Sequence, residues 1–148
     1  MADFHLPPTV SRLPDPHMQT IQIRDMHPGR YLAFDLRHVL DALGPRVLES
    51  SWRIRDVCAT GMHGDNRLEG LAGREAPIPG HVLRESAGEV RQVIDGEFAA
   101  YDSDQTEPWV TIDAVDSSYY LVRSRDPAVL QAVRACFRDV SEYDEADP

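Results

Sequence analysis

Residues 109–124 read Trp109-Val110-Thr111-Ile112-Asp113-Ala114-Val115-Asp116-Ser117-Ser118-Tyr119-Tyr120-Leu121-Val122-Arg123-Ser124. Val110, Ile112 and Ala114 alternate with Thr111 and Asp113, the two-residue period of a strand with one buried face. Asp116-Ser117-Ser118 is turn chemistry, because an Asp side chain accepts from backbone N–H groups close by. Residues 119–124 then form the returning strand, with Tyr119 and Tyr120 on opposite faces. The stretch is a β-hairpin, and a two-strand hairpin is antiparallel.

Outward from the hairpin, residues 89–101 read as a third strand, with Val90 and Ile94 on one side and Val93 on the other. Gly96 interrupts it, as a bulge or tight turn would. After the hairpin, Asp126-Pro127 opens a helix, Asp as N-cap and Pro at the first helical position. Its buried stripe is Val129, Leu130, Val133, Cys136 and Phe137.

Towards the N-terminus, residues 18–24 alternate as a short strand, with Ile21 and Ile23 on one side. Residues 30–43 place Leu32, Leu36, Val39, Leu40 and Leu43 on one helical face, with Asp35 and Arg37 pointing away. Gly44-Pro45 stops that helix. Residues 46–59 read as a strand in which Leu48, Trp52 and Ile54 share a side, and Trp52 anchors the core against Leu36, Val39 and Leu43. Residues 60–80 are Gly- and Pro-rich and irregular, with a helical turn at 66–72 and a short helix at 81–87.

Adjacent strands flanked by helices define an α+β fold: an antiparallel sheet of about four or five strands with two main helices packed on one face. The 148 residues suit one domain. Pro7, Pro8, Pro14 and Pro16 make residues 1–17 an extended arm. The α+β domain is expected over 18–140. Residues 141–148 carry Glu142, Asp144, Glu145 and Asp147 without a base and read as an acidic disordered tail.

The net charge is −10. Residues 139–148 supply five of the 25 acids and no base, so the rest carries 20 acids against 15 bases, or −5. This balance argues against phosphate neutralisation on DNA or RNA and suits a basic protein partner. No apolar run reaches the roughly 18 residues of a membrane span, and the N-terminus lacks the basic start and apolar stretch of a secretory signal. The chain is therefore expected to be cytoplasmic and off the membrane. All 15 basic residues are arginine, a bias read as the codon usage of a GC-rich bacterial genome. Cys58 and Cys136 are expected as reduced, buried thiols.

No Walker or dinucleotide glycine motif is present, and without lysine a P-loop is excluded. No cofactor and no metal are expected. The one cluster with ligand or nucleophile chemistry is Asp56, Cys58, His63 and Asp65, whose spacing fits no established zinc pattern. It supports an alternative reading as a small enzyme or a ligand- or metal-binding domain; a third reading is an accessory subunit of a complex. The preferred reading is not an enzyme. Asp95, Glu97, Asp102, Asp104, Asp113 and Asp116 gather on the central strands and their loops, beside the aromatic Trp109 and Tyr119. Aromatic side chains beside charged groups suit a protein interface. These eight residues are the expected partner-binding set of a small acidic binding domain. In its sharpest form this is an immunity or inhibitor protein that neutralises a basic bacterial toxin through an acidic hairpin surface.

Overall fold

The computed structural model describes residues 18–28, 32–61 and 66–144. The strands are β1 (Gln19–Ile23), β2 (Ser51–Gly61), β3 (Ile78–Pro79), β4 (Val90–Tyr101), β5 (Val110–Val115), β6 (Tyr119–Ser124) and β7 (Val140–Glu142). The helices are α1 (Leu36–Leu43), α2 (Arg46–Glu49), α3 (Arg67–Leu71), α4 (Gly80–Gly88) and α5 (Pro127–Arg134). All strand pairs are antiparallel, in the order β3-β2-β4-β5-β6-β1-β7. The α+β class holds. The sheet has seven strands, not four or five, and five helices stand where two main ones were expected. The additional elements are β3, β7 and α2, of two to four residues each, too short to show a period, while α3 and α4 stand at the expected helical turn of 66–72 and short helix of 81–87.

The hairpin closes through Asp116 and Ser117, both left-handed (φ 50° and 58°), with Ser118 N–H donating to the Val115 carbonyl at 2.8 Å. Two successive positive φ values match the right-handed twist of the flanking strands. Asp126 caps α5 by accepting from Ala128 N–H at 2.9 Å, with Pro127 following.

Three boundaries differ from the sequence reading. Helix α1 starts at Leu36, not at residue 30. Its N-cap is Asp35, which is buried, not outward-pointing, and Leu32 forms an isolated bridge with Met26. The stretch 46–59 is not one strand. Val47 and Leu48 N–H bond to the Gly44 and Pro45 carbonyls, which winds α2 before β2 begins. Leu48, expected beside Trp52, is in consequence 48% exposed. The ordered chain also continues past residue 140. Ser141 and Glu142 extend β7 along β1, and Tyr143 N–H donates to the Thr20 carbonyl at 2.9 Å. Residues 145–148 of the expected tail, and the expected arm 1–17, lie outside the described residues.

One row of each long strand faces the helices: Trp52 and Ile54 of β2, Phe98 and Ala100 of β4, Val110 and Ile112 of β5, Tyr120 and Val122 of β6, Ile21 and Ile23 of β1. With Leu36, Val39, Leu83, Leu130 and Val133 from the helices they form one core. Trp52 is fully buried, as expected, and its indole N–H donates to the Val47 carbonyl at 3.0 Å. Gly96 does mark a bulge, but the extra residue is on β2: Asp56 and Val57 together stand against Gly96, between the Arg55–Glu97 and Cys58–Asp95 pairs. Asp56 takes the left-handed conformation (φ 55°). A Cβ on Gly96 would lie 2.8 Å from the Phe98 ring, so only glycine fits beneath that ring.

Candidate functional site

Residues that alternate with the core row face away from the helices. The strand register aligns them into rows across the sheet, because directly opposed residues of an antiparallel pair share a face. One row runs Arg55, Glu97, Asp113, Leu121, Gln22. The next runs Arg53, Ala99, Thr111, Arg123, Thr20. Together with Tyr101 and Pro108, the β2, β4 and β5 members of both rows and Arg123 of β6 line a concavity of about 510 Å³.

Glu97 and Asp113 stand directly opposite each other. Two carboxylates in that relation repel unless cations intervene. Arg55 Nη2 lies 2.8 Å from Glu97 Oε1 on one side, and Arg123 Nη2 lies 3.7 Å from Asp113 Oδ2 on the other. Arg123 Nη1 also donates to Thr111 Oγ1 at 2.9 Å. The expected acidic surface is thus, at its centre, a lattice of two opposed carboxylates flanked by two arginines. The Arg55 side chain is 76% exposed, so its pair adds little to stability, about 0–1 kcal/mol. Its remaining donors are open to solvent. Forked guanidinium donors beside carboxylate acceptors give the face a mixed polarity.

The other expected site residues have distinct positions. Asp95 is exposed, and its Oδ1 accepts from Asp116 N–H at 2.8 Å, tying β4 to the hairpin turn. Asp116 is exposed in that turn. Asp102 and Trp109 sit at the opposite end of β4 and β5, about 20 Å from Asp95 at strand rise. There Asp102 Oδ2 pairs with Arg46 Nη2 at 2.6 Å, and the Arg46 guanidinium lies over the Trp109 ring at 4.1 Å. The Trp109 indole donates to Ser50 Oγ at 2.8 Å, so this half-buried ring locks α2 to the sheet and is not a free aromatic. Asp104 is exposed in a left-handed turn (φ 66°). Tyr119 is half-buried on β6, while Tyr120 is buried. Glu97 and Asp113 are therefore brought together, Asp95 and Asp116 are joined, and the Asp102, Asp104 and Trp109 group stands apart.

Sequence reasoning missed the arginines of the lattice. Their signal was present: Arg53 and Arg55 alternate with the core residues Trp52 and Ile54. It also missed Asp35, a buried carboxylate bonded to Val93 N–H and the Tyr120 hydroxyl. Asp immediately before the apolar stripe of α1 was its signal as an N-cap.

Of the alternative cluster, His63 and Asp65 lie outside the described residues. Asp56 and Cys58 are exposed. Among the described residues, no group of three His, Cys, Asp or Glu side chains is placed to hold a metal ion. Cys58 and Cys136 are free, but both are exposed, not buried. Cys58 lies on the bulged edge strand, and Cys136 follows the last turn of α5. No described helix is long and apolar enough to cross a membrane.

No family model matches the chain, and neither a curated protein nor a solved structure matches it.

Proposed function

We propose that the chain is a protein-binding domain whose partner docks on the face of the sheet that carries no helix among the described residues. The observation that carries this is the Arg55–Glu97–Asp113–Arg123 lattice and the concavity above it, a charged and partly aromatic surface. Arginine and tyrosine supply much of the energy at protein interfaces, from forked hydrogen bonds and from large rigid contact area.

The sharper form of the reading is an inhibitor or immunity protein that neutralises a basic toxin. The acid surplus of the chain supports it by steering a basic partner towards the domain. In this form Asp95, Asp104 and Asp116 speed the encounter from the sheet ends, while Glu97 and Asp113 exchange their arginines for basic groups of the partner. Arg53, whose Nη1 donates to the Glu75 carbonyl at 3.2 Å, would take an acidic group at the rim.

The reading is tested by affinity capture in the native host with wild type, Thr111→Arg in the floor of the concavity, and Gln131→Arg on the exposed side of α5. A partner retained by wild type and Gln131→Arg but lost by Thr111→Arg is the expected result. Equal retention by all three would exclude this face as the docking surface.

A further inference from the structure

The two edges of the sheet are built differently. The β2 edge carries several guards against pairing. Pro79 lies on its short neighbour β3, and a bulge at Asp56 bends the strand. Arg53 and Arg55 add charge, while Asn66 Nδ2 and Glu69 Oε2 occupy the Ala59 carbonyl and N–H at 3.3 and 2.9 Å. Charge, proline, bulges and side-chain cover are the usual ways in which an edge is protected.

Strand β1 has none of these. Its five residues, Gln19-Thr20-Ile21-Gln22-Ile23, are uncharged, and their pairing with β6 is unbroken. What covers its outer side among the described residues is β7, three residues long, with Val140 half-buried and Ser141 and Glu142 exposed. One carboxylate hangs this strap on the sheet: Asp25 accepts from Arg138 N–H at 2.9 Å and from Asp139 N–H at 2.6 Å. Arg24 N–H to the Asp139 carbonyl and Tyr143 N–H to the Thr20 carbonyl close the two ends. Upstream, Phe137 is held separately, its ring 4.9 Å from that of Phe34. The strap can thus leave while α5 stays docked, and β1 keeps its five pairs to β6.

We propose that β1 is a strand-accepting edge and β7 its displaceable occupant, so that an extended segment of a partner protein pairs antiparallel with β1 in place of β7. Backbone pairing supplies the affinity in this mode of recognition, and flanking pockets supply the selectivity. A cleft of about 680 Å³ lies at the β1–β7 junction; Arg138, Asp139 and Ser141 of the strap form one wall, and Gln22, Arg24, Asp25, Met26 and Ala33 form the wall that stays when the strap leaves. Met26, at 44%, is one of two large exposed hydrophobic side chains among the described residues. The incoming strand is therefore one that carries an apolar side chain for Met26 and a carboxylate for Arg24.

The test uses the full chain and a fluorescein-labelled peptide that copies residues 140–144, which pairs with β1 but lacks the two amides that bond to Asp25. In hydrogen exchange, the Ser141 and Tyr143 amides of wild type should exchange at least tenfold faster than that of Val122. Asp25→Ala should accelerate the strap amides a further tenfold or more, leave Val122 and Ile112 unchanged, and bind the peptide at least tenfold more tightly than wild type. Ser141→Pro, which removes the central strap donor without touching β1, should do the same and serves if Asp25→Ala loosens the whole domain. Strap amides as protected as Val122 in all three proteins would overturn the proposal. So would released strap amides without peptide binding. A concentration-dependent dimer that blocks the peptide would assign the edge to the strap of a second copy and overturn the assignment to a partner. None of these variants alters the proposed docking face, so failure here is separable from failure of the docking reading.

Discussion

The Tyr120 hydroxyl lies 2.9 Å from Asp35 Oδ1, and the two residues are 85 positions apart in the chain. Both are buried, and the same oxygen accepts from Val93 N–H at 3.0 Å. One carboxylate thus joins the start of α1 to β4 and β6. Its other oxygen, Oδ2, is buried without a hydrogen-bond partner among the described residues, which leaves the group dependent on the bonds it has. Tyr120→Phe removes one of them and should cost about 1–3 kcal/mol, the penalty of under-satisfying a buried polar group. Denaturant unfolding of the two proteins measures this directly. A loss below about 0.5 kcal/mol would mean that the bond is not a structural tie.

Burial pushes the Asp35 carboxyl above its ordinary value of 3.8, against the lowering effect of the Val93 and Tyr120 bonds. A carboxyl with a higher pKa folded than unfolded holds its proton more tightly in the folded state. Its contribution is then complete below 3.8 and declines as pH rises through the folded value. Asp35→Asn cannot ionise. The stability of this variant relative to wild type should therefore rise with pH above about 4. A constant difference from pH 3 to pH 7 would contradict the shift.

His38 carries the opposite sign. Its Nδ1 accepts from Asp35 N–H at 2.8 Å, which requires that nitrogen to be unprotonated. Burial, and then the neighbouring Arg37, lower its pKa from 6.5. The stability that it contributes is present above 6.5 and lost as pH falls through the folded value. Wild type should lose stability between neutral and mildly acidic pH, and His38→Gln should lose less. Because Asp35 acts in the other direction over part of the same range, the two variants must be measured separately.

A Cβ on Gly80 would lie 1.9 Å from the Val47 carbonyl oxygen and 2.9 Å from Leu48 backbone atoms. Here α4 begins against the backbone of α2, and neither partner is a side chain that can swing away. Gly80→Ala should cost about 3 kcal/mol or more, the upper range of overpacking effects. Thermal melts of this variant and of Gly70→Ala, where the added Cβ meets nothing within 4 Å, provide the comparison. Equal melting temperatures would show that α2 and α4 separate freely.

How much of this could be read in the sequence depended on length and period. The hairpin, the α5 cap and the Gly44-Pro45 stop each rest on several agreeing local signals, and each stands in the structure. Helix α2 is a single turn closed by local bonds and β7 is hung on the sheet by the bonds that Asp25 accepts; both are too short to leave a period to detect. The charge lattice was hidden for a different reason. Acids were counted along the chain, whereas the sheet register sets Arg55 beside Glu97 from 42 positions away. Asp35 was misplaced because a helix assumed to begin at residue 30 turned an N-cap into an outward-facing residue.

In the proposed function a partner covers the face of the sheet that carries no described helix. The most direct measurement places a photo-crosslinking residue at Thr111, in the floor of the concavity, and in a second protein at Gln131 on α5, with irradiation in the native host. One discrete adduct is expected from position 111 that is absent from position 131, and that is lost when Arg55→Gln is added. Arg55→Gln removes one exposed ion pair and puts no like charge opposite Glu97, so the melting temperature should stay nearly unchanged. No adduct at position 111, or the same adduct from both positions, would contradict the claim.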